Sequence, residues 1–125
     1  TEIKSTIKCI KQVFPDRRLI VIFQPHQYSR TRFLLKDFAC SFSLADKVVV
    51  PDIYFVRDSL LEKKLVNAEI LVEKIREKGK EAIYLPTFKE IVEYLCEIKR
   101  EKDVILTIGA GPVDKVAKEF LKRLK

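Results

Sequence analysis

Leu19-Ile20-Val21-Ile22-Phe23 is an unbroken run of five apolar residues. A strand with one face in water alternates apolar and polar side chains, so a continuous run fits a strand covered on both faces. Three further runs repeat the signal, over Lys47-Val48-Val49-Val50, Glu81-Ala82-Ile83-Tyr84-Leu85 and Asp103 through Ile108. Segments with helical spacing lie between them. This alternation predicts the α/β class: a Rossmann-like three-layer domain with a mostly parallel sheet, over 18–24, 47–50, 81–85 and 103–108, covered by helices on both faces.

The helical segments carry their own punctuation. Ile3, Ile7, Ile10 and Val13-Phe14 recur on one face, with Thr1 as N-cap and Pro15 as stop. A second helix is predicted over 31–42 and a third from Asn67, with Ala68, Leu71, Val72 and Ile75 inward and Gly79 at C′. Thr87-Phe88-Lys89-Glu90 has the spacing of a capping box, followed by the stripe Phe88, Ile91, Leu95 and Ile98. Pro112 is placed at N1 of a last helix whose apolar face is Val113, Val116, Ala117, Phe120, Leu121 and Leu124. Ile53 to Val66 has no clear period and reads as a loop.

A chain of 125 residues suits one domain with a single two-sided core. Its 47% apolar and 34% charged residues mark it as globular. No apolar stretch reaches the roughly 20 residues that cross a bilayer, and no signal-peptide pattern opens the chain. Cys9, Cys40 and Cys96 are far apart in sequence, which predicts small buried hydrophobes in a reducing compartment, without disulfide or metal. The net charge of +7 raises a nucleic-acid reading, but the lysines are interspersed with glutamates and read as solvated helix faces.

Chemistry concentrates after the first strand, in Phe23-Gln24-Pro25-His26-Gln27-Tyr28-Ser29-Arg30-Thr31-Arg32. In open α/β sheets ligands bind beyond the carboxyl ends of strands, which is where this loop falls. His26 donates or accepts near neutral pH, and Arg30 offers a planar fork for carboxylate or phosphate. Tyr28, Ser29 and Arg32 add donors beside a helix start, although Tyr28 also suits packing and Arg32 a solvated helix face. Together they predict an anion site. Asp52, Tyr54 and Arg57 follow the second strand and border the same cleft as a rim. Gly109-Ala110-Gly111 follows the last strand, but Asp114 stands where a dinucleotide fingerprint has its third glycine, so the glycines read as room for tight packing. There is no phosphate-cradling G-x-x-x-x-G-K-[ST] and no Ser–His–Asp or Cys–His set.

The ten residues from Phe23 to Arg32 resemble the pattern Phe-Gln-Pro-His-x-Tyr-Ser/Thr-Arg-Thr-Arg of the C-terminal domain of the bacterial UDP-N-acetylmuramate–L-alanine ligases, within the Mur ligase family. The resemblance extends over nearly the whole chain. Pro15-Asp16-Arg17-Arg18 is similar to the family's lead into the strand, and Gly109-Ala110-Gly111 to its last strand-to-helix turn. Thr1-Glu2-Ile3-Lys4 resembles the handover from the central ATPase domain, and with the absence of methionine this predicts a fragment.

The resemblance implies an ATP-dependent, cytoplasmic ligase of peptidoglycan synthesis that joins L-alanine to UDP-N-acetylmuramic acid through an acyl phosphate. It implies an N-terminal domain for the UDP-sugar, a central domain for ATP and magnesium, and a C-terminal domain that delivers the amino acid and closes the cleft. This chain corresponds to the third, predicted to be inactive alone, without a cofactor of its own and without nucleic-acid or membrane partners. On the same resemblance Arg30 binds the alanine carboxylate or steadies the anionic intermediate, and His26 contacts substrate oxygens. Gln27 stands where relatives often carry arginine. The readings to weigh against it are a free-standing Rossmann-like module binding an anion or nucleotide and, after that, a basic nucleic-acid-binding domain.

Overall fold

β1 (Leu19–Gln24) is buried along its whole length, and the other elements are arranged about it. The structure is a computed structural model that describes residues 2–25, 31, 35–53, 67–109 and 112–124. Within these, helix α1 (Glu2–Val13) precedes β1, and α2 (Leu35–Cys40) leads to β2 (Lys47–Val50). Then follow α3 (Ala68–Glu77), β3 (Glu81–Tyr84), α4 (Phe88–Ile98), β4 (Val104–Gly109) and α5 (Asp114–Arg123). The strands form one parallel sheet in the order β3-β2-β1-β4. The predicted architecture and all four strands are therefore present, each end within one residue of its expected place.

The two-residue period of β1 divides the core. Leu19, Val21 and Phe23 join Ile7 of α1, Ala39 of α2, and Leu71 and Ile75 of α3 on one face. Ile20 and Ile22 join Ile91 and Leu95 of α4 and Val116 and Phe120 of α5 on the other. Fully burying such a side chain is worth about 1.5–3 kcal/mol, so both runs of β1 favour this placement. Phe23 also meets the rings of Phe38 and Phe42, at centroid distances of 5.1 and 5.4 Å.

Local signals hold α3 at its expected start and stop and α4 at its expected start, whereas α2, expected to reach residue 42, ends at Cys40. The Asn67 side chain accepts from the Ile70 N–H at 2.9 Å, and Gly79 ends α3 at φ +83°, where only glycine is unstrained. Thr87 and Glu90 exchange both bonds of the capping box, at 3.2 Å each.

Several expectations need correction. Val13, Leu121 and Leu124 sit on apolar stripes yet are 67%, 58% and 46% exposed. The last two flank the cleft with Ile105 beside β4, which has no strand on its outer side among the described residues and is only half-buried. Pro112 is not at N1: α5 begins at Asp114 after the cap Val113, and the Pro112 carbonyl accepts from the Lys115 N–H in a preceding turn. The cysteines are not buried hydrophobes, since Cys9 and Cys40 are exposed and Cys96 is half-buried. Periodicity marks an apolar face but does not say whether anything covers it. Thr1, Ala110, Gly111 and the segment 54–66 lie outside the described residues.

The amino ends of β1 and β4 are clamped together by a bidentate ion pair. Arg18 Nη2 and Nε donate to Asp103 Oδ2 and Oδ1 at 2.6 and 3.1 Å, and Nη2 also donates to the Ile98 carbonyl at 2.7 Å. Asp103 Oδ2 takes a further bond from the Arg100 N–H at 2.9 Å. Burial pushes the Asp103 carboxyl up, but Arg18, the Arg100 N–H and the two guanidinium charges outweigh it and hold the carboxyl below its usual range. The hydrogen bond to Asp103 holds the Arg18 guanidinium above its own usual value. One edge of the sheet is thus fixed at the end away from the motif loop.

Candidate functional site

Strand order creates the candidate site. β1 and β4 are parallel neighbours, with Gln24 in register with Gly109 at their carboxyl ends. From β1 the chain proceeds to α2, which packs on the Leu19–Val21–Phe23 face. From β4 it proceeds to α5, which packs on the Ile20–Ile22 face. Two adjacent strands that send their connections to opposite faces leave a crevice between the connections, where ligands bind in open α/β sheets. The motif begins at that crevice.

Of the predicted site residues, His26, Gln27, Tyr28, Ser29, Arg30 and Arg32 lie outside the described residues, as do the rim residues Tyr54 and Arg57. The described ends of the motif are buried: Gln24 and Pro25 on one side and Thr31 on the other. Anchored ends position a loop without demanding a hydrophobic loop, which suits polar chemistry on a rigid frame.

Asp52, the described rim residue, belongs to a contact chain across three strand ends. Its carboxylate Oδ1 accepts from the hydroxyl of Tyr84, the last residue of β3. Its backbone carbonyl accepts from Gln24 Nε2 at 3.2 Å, and its N–H donates to the Pro86 carbonyl at 3.3 Å. Gln24 is only 6% exposed, and its buried Oε1 has no hydrogen-bond partner among the described residues. Sequence reasoning took Gln24 for the last strand residue and Tyr84 for a strand residue, and missed this chain. The signal available in advance was polar: Gln24 closes an otherwise apolar strand.

Gly109 lines the other side of the crevice. A Cβ there would meet the Gln24 carbonyl oxygen at 2.8 Å, Val113 Cγ1 at 3.0 Å and Gln24 Cβ at 3.3 Å. The reading of this glycine as room for tight packing therefore holds. Gly109→Ala should push the β1 and β4 ends apart and cost about 1–3 kcal/mol, the range for overpacking a tight site. A melting curve checks it, and an unchanged midpoint would contradict the close approach.

The space a phosphate would need beside Gly109 is taken by Gln24 and Val113. Among the described residues no group of three His, Cys, Asp or Glu is placed to hold a metal ion. A separate groove of about 500 Å³ lies between α4 and α5, floored by Phe88 and Val92 and lined by Lys89, Lys115, Lys118 and Lys122. The lysines are therefore less evenly spread than the sequence suggested, although Lys118 has a local partner in Asp114 at 3.6 Å. No helix among the described residues is long and apolar enough to cross a membrane.

The family model described as "Mur ligase, glutamate ligase domain" matches residues 1–111. A UDP-N-acetylmuramate–L-alanine ligase from Caldanaerobacter subterraneus subsp. tengcongensis is 45% identical over 124 residues, covering 99% of this chain and 26% of that protein. The enzyme of the same name from Acetivibrio thermocellus is 46% identical over 123 residues, covering 98% and 25%. A murein peptide ligase from Psychrobacter arcticus has the same fold over 98% of this chain and 25% of its own, with a TM-score of 0.77 at 21% identity. The chain spans about a quarter of the length of the relatives it matches.

Proposed function

This chain belongs to the Mur ligase C-terminal domain family, and from that premise we propose that it is the amino-acid-delivering, cleft-closing domain of an ATP-dependent ligase joining L-alanine to UDP-N-acetylmuramic acid. The observation that carries the reading is the 45% identity, across 99% of the chain, to a ligase of that name. The Phe23–Arg32 motif adjoining the β1–β4 switch point supports it in physical terms.

In this reading residues 1–125 form one domain, and ATP, magnesium and the UDP-sugar are held mainly by two further domains of the same cytoplasmic protein. Arg30 receives the amino acid's carboxylate, or the charge of the tetrahedral intermediate, and His26 contacts substrate oxygens. Tyr28, Ser29 and Arg32 complete the donor set, while Gln27, Asp52, Tyr54 and Arg57 form the rim. Fixing the amino acid against an acyl phosphate held elsewhere contributes through orientation and charge stabilisation. In this reading the acyl group is activated by the central domain, and the domain alone should be inactive.

The test uses the complete protein to which this chain belongs. Incubated with ATP, magnesium, UDP-N-acetylmuramic acid and L-alanine, it should release ADP and yield the alanyl product in equal amounts. ADP release without an alanine adduct would overturn the assignment. A larger kcat/KM for serine or glycine would correct the amino acid alone.

A further inference from the structure

The ligase reading leaves the groove between α4 and α5 without a role. Its floor is Phe88, half-buried, and Val92, 1% exposed. Five cations surround that floor: Lys89 on α4, and Lys115, Lys118, Lys122 and Arg123 on α5. The two helices also carry five exposed acids, Glu90, Glu93, Glu97, Asp114 and Glu119, and only Glu119 lines the groove. Solvated helix faces intersperse the two signs, whereas here the positive ones gather about an apolar strip. Asp114 offsets Lys118 at 3.6 Å, and Glu119 offsets Arg123 at 3.9 Å. Lys89, Lys115 and Lys122 make no ion pair among the described residues. Like charges gathered without partners repel one another, so an anion entering the groove relieves a standing cost.

The spacing of the cations indicates the kind of anion. Lys115, Lys118 and Lys122 follow one another at three and four residues, so they share one face of α5. At 1.5 Å per residue the row is about 10 Å long. A phosphate covers one end of such a row. Carboxylates at i, i+3 and i+7 of a second helix repeat its spacing, and apolar residues beside them meet Phe88 and Val92. Laying the apolar face of a helix into a groove is a recurring mode of protein recognition. A bilayer, being flat, would meet the lysines and not the floor, and duplex phosphates have no use for an apolar floor. We propose that the α4–α5 groove docks an acidic amphipathic helix of a partner protein. Its carboxylates lie along Lys115, Lys118 and Lys122, and its apolar side chains cover Phe88 and Val92. The net charge of +7 draws such a partner in from a distance, and the groove fixes where it settles. This surface goes beyond the ligase reading and stands without it.

The test titrates the complete protein into a labelled, helix-favouring peptide with leucines on one stripe and glutamates on the next, and reads fluorescence anisotropy. Lys115→Glu/Lys122→Glu should weaken binding about tenfold, since two exposed attractions become repulsions. Lys4→Glu/Lys8→Glu makes the same change of net charge on the exposed face of α1 and should stay within about twofold of wild type. All four lysines are exposed, so both double variants should keep the wild-type melting temperature. A peptide with glutamine in place of each leucine should bind about tenfold more weakly, because the floor is then left bare. Equal losses in the two double variants would reduce the effect to net charge and overturn the proposal. So would equal affinity for the glutamine peptide, or no saturable binding up to about 1 mM peptide. Tighter binding of duplex DNA or of phosphatidylglycerol vesicles than of the peptide, abolished by Lys115→Glu/Lys122→Glu, would overturn it in favour of a different class of partner.

Discussion

Arg30→Ala in the complete ligase should lower kcat/KM for alanine by on the order of a hundredfold while leaving the melting temperature nearly unchanged. A carboxylate held by a guanidinium fork accepts two charge-assisted bonds, each worth about 1.5–3 kcal/mol. Removing the fork leaves an anion unpaired in a cleft that excludes water as it fills. Since each 1.4 kcal/mol is a factor of ten, losing both bonds at the low end of that range, about 3 kcal/mol, gives the expected drop. Arg30→Lys should recover only part, because an ammonium supplies charge without the planar pair of donors. The effect should fall on alanine, with KM for ATP close to wild type. Steady-state kinetics on both variants, each with a melting curve, decide the matter. Unchanged alanine kinetics in folded Arg30→Ala would remove the assigned role, and a large melting loss would make Arg30 a structural residue.

The two halves of the candidate site differ in how far sequence reasoning reaches them. The position of the motif follows from local patterns, since a run such as Leu19–Phe23 has one low-energy use and the polar residues must then leave the sheet at its carboxyl end. The helix punctuation at Asn67, Gly79 and Thr87 was legible for the same reason: each cap is a contact within a few residues. The contacts of Gln24 with Asp52 and of Asp52 with Tyr84 span 28 and 32 residues, and no spacing rule announces them. The edge position of β4 was equally hidden. Its run Val104-Ile105-Leu106-Thr107-Ile108 resembles that of β1, yet β1 is fully buried and β4 is half-buried. Hydrophobicity reports what a strand could bury, and strand order decides what it does bury. Leu121 and Leu124 followed the same logic and ended exposed beside that edge.

A long-range ion pair is the basis of the largest stability effect. Arg18 and Asp103 are 85 residues apart in sequence, and their side chains are 15% and 7% exposed. Little about either residue announced the pair in advance. Removing one partner strands the other: Asp103 would keep only the Arg100 N–H, and Arg18 only the Ile98 carbonyl. Arg18→Met and Asp103→Asn should each cost about 3 kcal/mol, at the lower end for breaking a buried pair. That lowers the melting temperature by roughly 10 °C for a chain of this size. The double variant Arg18→Met/Asp103→Leu should lose less than the sum, because neither charge is then left uncompensated. The pH dependence has a definite sign. Asp103 titrates lower in the folded chain than in the unfolded one, so its contribution is fully present above the unfolded carboxylate value of about 3.9 and fades as pH falls through the folded value. Arg18 stays protonated throughout and adds no slope in that window. Wild type should therefore lose stability more steeply than Asp103→Asn on acidification below about pH 4, and the two curves should converge. Parallel curves would show that Asp103 does not titrate differently in the fold. The clamp sits at the amino ends of β1 and β4, six residues before Gln24 and Gly109 and so roughly 20 Å from the crevice. Arg18→Met should accordingly melt early yet keep its alanine KM below the melting range, and a shifted KM there would tie the clamp to the site.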